Sequence, residues 1–415
     1  MTPGDATYLA QQRADLLRFA AGARTPRGFG WLNRDGSLDS SRPVQLYITS
    51  RMTHVAALGS LVAEPPAPGG PDADHLRELA AHGVRSLAGP LHDDRHGGWF
   101  ATVSDEGVVD PSKEAYGHAF VVLSATSAAH AGVDGADALL DEALQVSSDR
   151  FWDDDEGLSV DRWDRAWSEL EPYRGANANM HTVEAYLAAG DATGEVAWYR
   201  RADRIVEHAL SWARPNQWRM PEHFDEDWRP LFDYNRSRPA DPFRPYGFTI
   251  GHGFEWSRLV LATDVALSSS GGDARTASAV ALYDRALEDG WAADGAPGFV
   301  YTTDWEGTPV VRERMHWVLA EALAAAEALR RATGEERFAD DALTWWAYAD
   351  RHFVDHDRGS WHHELDPSNR PSATVWPGKP DVYHAYQASL APLLPTAPSF
   401  AAASRGFRRD DRSRH

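Results

Sequence analysis

The stretch Phe248-Thr-Ile-Gly-His-Gly-Phe-Glu-Trp256 sets a histidine and a carboxylate, His252 and Glu255, three residues apart. On a helix that spacing puts both on one face. The surrounding residues Phe254, Trp256, Leu259, Val260 and Leu261 are apolar. A single pair of this kind reads as a satisfied core pair, with the imidazole holding the carboxylate. The same arrangement returns along the chain, and that recurrence decides the fold.

Polar residues embedded in otherwise apolar helices occur at Arg51, His118, His181, His252, Glu321 and His384, with separations of 67, 63, 71, 69 and 63. Turn pieces built around Trp31, Trp99, Leu158, Trp228, Phe299 and Trp361 are separated by 68, 59, 70, 71 and 62. Two independent markers thus give a repeat of roughly 66 residues, six times over. Each unit reads as a charged amphipathic helix, a short strand-and-turn piece and a more apolar helix. The first helices carry a polar face, as in Arg201, Arg204, Glu207 and His208, and belong in an outer layer. The second, such as Ala119-Phe-Val-Val-Leu-Ser-Ala125, are apolar nearly all round and belong inside. No polar capping units are present, so an open solenoid is disfavoured. The expected fold is an all-α (α/α)6 barrel of twelve helices with short β pieces at one end. It would form one domain over residues 1–395, followed by a loose tail over 396–415. The embedded polar residues, in the first half of each inner helix, would converge on one mouth of the ring.

Composition narrows the function. The 415 residues carry a net charge of −21, which makes nucleic acid and anionic membranes poor partners. Cysteine is absent, which removes disulfides, thiolate metal sites and a cysteine nucleophile. Seventeen tryptophans supply flat platforms suited to sugar rings. The opening Met1-Thr-Pro-Gly-Asp-Ala-Thr has neither the basic nor the apolar part of a signal peptide, and no run of 18 apolar residues occurs. The expectation is a cytoplasmic protein, with a homo-oligomer left open. No nucleotide-binding glycine loop and no H-E-x-x-H pattern occurs, so no cofactor and no metal are expected.

Several candidates have plain structural readings. His118 reads as a core histidine, His54 as packing, and the His362-His363 pair as solvated. Asp153-Asp-Asp-Glu156 lacks the rest of a calcium loop and reads as a solvated turn. Arg51 could form a structural ion pair, with Glu114 or Glu255. Taken together, however, so many ionisable groups at period-matched positions are costly to bury without a task. Two histidines on opposed helices suit proton transfer between adjacent carbons of a sugar, because imidazole titrates near neutrality. Arg51 and His181 could stabilise the oxygen that gains charge.

The motifs Ser50-Arg-Met-Thr-His54, Lys113-Glu-Ala-Tyr-Gly-His-Ala-Phe120, Asn177-Ala-Asn-Met-His181, Gly251-His-Gly-Phe-Glu-Trp256 and Lys379-Pro-Asp-Val-Tyr-His384 resemble those of the N-acylglucosamine 2-epimerase superfamily. The resemblance runs from about Leu16 to Leu394. It is strongest to the branch of cofactor-free aldose–ketose isomerases that act on mannose and on sulfoquinovose. It implies an (α/α)6 barrel, a small sugar as substrate and His252 with His384 as the catalytic pair. His384 would shuttle a proton between C2 and C1 through a cis-enediol, and His252 would serve ring opening and exchange at O1 and O5. Arg51, Tyr116, Asn177, His181, Glu255, Trp317 and Glu321 match sugar-binding positions, with Glu255 orienting His252. The implied activity interconverts D-mannose and D-fructose, and D-lyxose and D-xylulose as well. A sulfoquinovose isomerase, a sugar 2-epimerase, a glycoside hydrolase using Glu255 and Glu321, and a non-catalytic sugar binder are the alternatives. The loop around Asn235–Pro245 is long and aromatic enough to serve as a lid.

Overall fold

Twelve α-helices alternate between two layers in the computed structural model, which describes residues 1–268 and 272–405. The outer helices are α1 (Ala6–Ala20), α3 (Ala73–Leu87), α5 (Ala136–Val146), α7 (Val196–Ala213), α9 (Gly272–Gly290) and α11 (Arg337–Tyr348). The inner helices are α2 (Leu46–Val62), α4 (Ala115–His130), α6 (Ala176–Thr193), α8 (Ile250–Leu267), α10 (His316–Thr333) and α12 (Tyr383–Leu390). Burial follows the sequence polarity. In α3 the stripe Leu76, Leu79, Ala80, Gly83, Val84 and Leu87 faces inward, whereas every residue of α2 from Ile48 to Val62 is buried. Each inner helix packs on the next, α2 on α4, α4 on α6, α6 on α8, α8 on α10 and α10 on α12. Contact between α12 and α2 closes the ring. The architecture is the (α/α)6 barrel expected from the repeat.

The way the inner helices begin is what builds a site. Outer helices α1 and α3 start at aspartate caps, Asp5 accepting from the Tyr8 N–H and Asp72 from the His75 N–H. The inner helices α2, α4, α6, α8 and α10 have no side-chain cap. Each leaves directly from a two-residue strand. That strand pairs with the turn piece of the following unit: Val44–Gln45 with Thr102–Ser104, Lys113–Glu114 with Arg162–Trp163, and Arg174–Gly175 with His223–Phe224. Phe248–Thr249 likewise pairs with Thr302–Thr303, and Arg314–Met315 with Glu364–Leu365. The sixth join is looser. The Lys379 N–H donates to the Leu32 carbonyl at 2.9 Å, and the Trp31 indole donates to the Pro377 carbonyl at 3.1 Å. The N-terminal ends of the inner helices are therefore held side by side at one rim, so their first-turn side chains share one mouth.

One expectation changes at the C-terminal end. Helix α12 starts at Tyr383, whose N–H donates to the Asp381 carboxylate at 3.0 Å. The tail expected to be loose from residue 396 packs against the lower end of the barrel. Residues 400–405 are helical, Ala401, Ala403 and Ser404 are buried, and the Phe400 ring lies 5.7 Å from the Arg258 guanidinium. Apolar alanines and a phenylalanine make this segment a lid over the barrel axis rather than a solvated end. Residues 406–415 of the expected tail lie outside the described residues.

Seven buried histidines, His223 among them, have imidazoles held below their ordinary pKa. Burial takes His54 to about 4 and His118 to about 3, and the same direction holds for His181, His316, His363 and His384. A group depressed in the folded state contributes stability that is complete above its unfolded value and is lost as pH falls toward the folded one. Urea-unfolding midpoints should therefore hold from pH 8 to about 6.5 and fall steadily between about 6.5 and 4. A midpoint that is flat across that window would contradict the buried, neutral placement of these rings.

Candidate active site

The mouth opens into a cavity lined by Tyr47, Arg51, Tyr116, Asn177, His181, His252, Glu255, Trp317 and His384, among others. Eight of the nine residues singled out in the sequence thus meet in one pocket; Glu321 lies behind it. Successive turns of the inner helices set the layers. Tyr47, Tyr116, Asn177 and Trp317 occupy the second position of α2, α4, α6 and α10 and form the upper ring. One turn deeper come Arg51, Phe120, His181, Glu255 and Glu321, and a further turn brings His54, Glu184, Arg258 and Gln387 to the axis.

Both histidines of the expected pair are gripped through Nδ1 by a carboxylate. His252 Nδ1 lies 2.8 Å from Glu222 and His384 Nδ1 lies 2.8 Å from Glu321. A carboxylate only accepts, so in the neutral form of each ring the proton sits on Nδ1 and Nε2 is the basic nitrogen. Burial and the nearby Arg51 charge push the His384 imidazole well below its ordinary value, so it is neutral at pH 7. The Trp317 indole lies between the two rings, its centroid 5.2 Å from that of His252 and 5.7 Å from that of His384. Gly251 is what admits it. A Cβ at Gly251 would come within 2.2 Å of the Trp317 ring, so only glycine lets α8 accept the indole this closely.

The expectation that Glu255 orients His252 is not met. His252 sits near the rim, turned toward the loop that carries Glu222, while Glu255 lies one turn deeper and faces the axis. Neither Glu255 oxygen has a hydrogen-bond partner; its neighbours are His181 Nδ1 at 3.7 Å and Arg258 at 3.9 Å. Burial raises its carboxyl well above the usual range. Glu321, matched to a sugar-binding position, instead holds His384 and takes the Arg258 Nε at 3.3 Å. His181 Nδ1 also lies 3.6 Å from Glu184, which accepts from the Tyr383 hydroxyl and the Gln387 amide. The donor atoms of His181, Glu184 and Glu255 lie within 4.8 Å of one another, the spacing of a cation site. The Arg258 guanidinium, 3.9 Å from both carboxylates, already supplies positive charge there.

Arg51 does not pair with Glu114 or Glu255. It reaches the Asp381 carboxylate at 3.3 Å, donates to the Tyr116 hydroxyl at 2.8 Å, and its guanidinium lies over Phe120 and Tyr383. His118 faces away from the pocket. Its Nδ1 donates to the Glu114 carbonyl and its Nε2 accepts from the Trp99 N–H, so its match to the repeat was a match of spacing and not of facing. Sequence reasoning also missed Tyr47, Glu222, His316, His363 and Asp381. Of the His362-His363 pair read as solvated, His363 is buried, lines the pocket and stacks on His316 at 3.8 Å. Adjacent residues in extended chain point to opposite sides, so one of the two had to face in. Glu222 sits in irregular chain with no periodic signal. Phe243, from the loop expected to act as a lid, packs against Tyr47, Tyr116 and Trp376 at the mouth.

The family model described as N-acylglucosamine 2-epimerase (GlcNAc 2-epimerase) matches residues 28–388. The chain belongs to the N-acylglucosamine 2-epimerase family. Within that family it is 50% identical to a D-mannose isomerase of Thermobifida fusca over 400 residues, covering 95% of this chain and 96% of that one. It is 46% identical to a D-mannose isomerase of Pseudomonas cannabina pv. alisalensis over 411 residues, covering 98% and 97%. A crystal structure of D-mannose isomerase superposes with a TM-score of 0.86 at 27% identity, covering 94% of this chain and 98% of that one.

If Glu222 and Glu321 act by fixing the histidine tautomers, Glu222→Gln and Glu321→Gln should each lower kcat about 10- to 100-fold, by analogy with lost orienting partners, with KM little changed. Gly251→Ala should lower kcat while displacing the indole, which Trp fluorescence would report. Full activity in Gly251→Ala would show that the close approach of Trp317 is not needed.

Proposed function

We propose that the protein is a cofactor-independent aldose–ketose isomerase that interconverts D-mannose and D-fructose. The observation that carries this reading is the pair of histidines, each held by a carboxylate with Nε2 free, on either side of one indole. The open-chain sugar would lie against Trp317. His252 would take the proton from O1 of the ring form and return one at O5 as the ring opens. His384 Nε2 would then remove the C2 proton as O1 gains one, giving a cis-enediol. The same nitrogen would return its proton to C1 while O2 loses its own, which leaves the ketose. Only protons move, so the step balances without a redox partner. Arg51 and His181, which line the same cavity, would stabilise the oxygens that carry charge as the enediol forms. D-Lyxose has the same configuration at C2 and C3 and lacks only C6, so D-xylulose is the expected product from it.

A hydrolase reading fits less well. It needs two carboxyl groups facing one bond across a cleft. Here Glu321 is occupied by His384 and Arg258, and sits behind the pocket wall.

The test is proton NMR of EDTA-treated protein with D-mannose in D2O. Fructose should appear, with part of the C2 hydrogen retained at C1. His384→Ala and His252→Ala should each lose at least about 10³-fold in kcat while keeping the wild-type circular dichroism. Glucose without fructose would move the assignment to a 2-epimerase. The acidic limb of kcat/KM should lie below pH 6.5, because the base must be neutral and its pKa is depressed. A limb above 6.5 would contradict the assignment of His384.

A further inference from the structure

A second cavity, of about 70 Å³, lies on the far side of the axial charges. Its wall includes His54, Glu184, Arg258, Leu394, Phe400 and Ala403. Neither Glu184 nor Arg258 lines the pocket at the mouth, so Arg258 does not meet the sugar. What it meets is Glu321. The Arg258 Nε donates to Glu321 Oε2 at 3.3 Å, while Oε1 of the same carboxylate lies 2.8 Å from His384 Nδ1. One carboxylate therefore joins this guanidinium to the ring of the base.

Glu255 on α8 and Glu321 on α10 both face Arg258, and carboxyls sharing a site disfavour each other's ionised form. Burial raises the Glu321 carboxyl, Arg258 opposes the rise, and Glu184 adds to it. Burial and the Glu321 charge raise Glu255 further, well above the usual range. Hydrogen bonding decides which of the two holds a proton. Glu321 accepts from Arg258 Nε and from His384 Nδ1, whereas neither oxygen of Glu255 has a partner. Bonds donated to the ionised form favour that form. Without Arg258, Glu321 loses its charged partner. A protonated Glu321 would donate to His384 Nδ1 rather than accept from it, and the ring proton would then sit on Nε2, where the base is needed. Arg51, Asp381, His316 and His181 also act on the His384 ring, but Nδ1 itself is held by Glu321.

The C-terminal end of the chain keeps Arg258 largely dry. The Phe400 ring lies 5.7 Å from its guanidinium, and the Arg258 side chain is 11% exposed. The segment carrying Phe400 is tied down on both sides. Ser399 Oγ donates to Asp191 at 2.6 Å, and Asp191 also accepts from the Tyr199 hydroxyl at 2.9 Å. Arg331, itself held by Glu327 at 2.6 Å, donates to the carbonyls of Ala391, Pro392 and Leu394. These bonds fix where Phe400 sits. Away from water the attraction between Arg258 and Glu321 is stronger than it would be in solvent, and water at the guanidinium would weaken it.

We propose that Arg258 is a positioning residue for the proton transfer: it keeps Glu321 an acceptor, so that His384 carries its proton on Nδ1 and presents Nε2 to the sugar. Phe400 is the second part of the same device, because it shields the Arg258–Glu321 pair from water. The inference rests on the reading of His384 as the base and adds the residues that set its tautomer.

The test joins steady-state kinetics to nitrogen NMR of protein labelled in its histidine rings, where the Nδ1–H and Nε2–H tautomers give different shifts. The His384 signals are identified by their loss in His384→Gln. The wild type should show Nδ1–H. Arg258→Met should turn the His384 ring to Nε2–H and lower kcat about tenfold or more, by analogy with lost orienting partners, with KM for D-mannose little changed. Arg258→Lys, which keeps the charge, should restore the Nδ1–H signal and recover most of the lost kcat. Phe400→Ser keeps every charge of the cluster, so it gives an answer even if Arg258→Met fails to fold. Its kcat should fall as salt is raised, whereas that of the wild type and of Phe400→Leu should not. An Nε2–H signal in the wild type would overturn the inference. So would an Nδ1–H signal or a wild-type kcat in folded Arg258→Met, or a Phe400→Ser kcat as insensitive to salt as the wild type's. Absence of D-mannose turnover by the wild type would instead sink the proposed activity, and the tautomer signals would still decide the role of Arg258.

Discussion

At the axis of the barrel one guanidinium answers three carboxylates. Arg258 lies 3.3 Å from Glu321 and 3.9 Å from both Glu184 and Glu255, and all four groups are withdrawn from water. Each carboxylate then meets something closer to the pocket. Glu321 holds His384, Glu184 holds Tyr383 and Gln387, and Glu184 and Glu255 flank His181. Burying such a cluster is unfavourable unless every member is compensated, and removal of one partner strands the charge of another. The cluster therefore constrains four inner helices at once. Rotating α6, α8, α10 or α12 by a fraction of a turn would break it. The positions of His181 and His384 follow from that constraint.

The rim supplies the other half of the geometry. Because an extended dipeptide paired to the next unit precedes each of five inner helices, their first turns are fixed in height and facing. A side chain at the second or sixth position of an inner helix has little choice but to enter the mouth. The outer helices carry no such duty and are simple amphipathic cover. This division explains why a pocket rich in ionisable groups can exist inside a barrel whose remaining interior is Leu, Ala, Val and aromatic. It also explains the closing segment at 400–405, whose apolar face shields the lower side of Arg258 from solvent.

Electrostatics separates the two tasks of the pocket. The pairs His252–Glu222 and His384–Glu321 set tautomers and leave bases. The pair Arg51–Asp381 does the opposite, leaving donors with no net charge. A site built this way sets its proton-transferring bases apart from its paired arginine.

Much of this was legible in the linear chain because the physics behind it is periodic. A repeat of roughly 66 residues and the contrast between half-polar and wholly apolar helices are sequence properties. They determined the barrel, its two layers and the convergence of Arg51, His181, His252 and His384, since helix geometry fixes which residues share a face. The partners were not legible, because they come from non-periodic chain or from across the ring. Glu222 lies in a loop, Asp381 meets Arg51 only through ring closure, and His363 enters the wall from a turn. Spacing alone also misassigned His118, which keeps the period but faces outward, and gave His252 to Glu255, which shares its helix face but lies one turn too deep. The sequence by itself determined that Arg51, His181, His252 and His384 reach the mouth, since that depends on local helical geometry. Only the tertiary structure decided which carboxylate holds which base and which one pairs with Arg51, because those depend on distances between segments far apart in the chain.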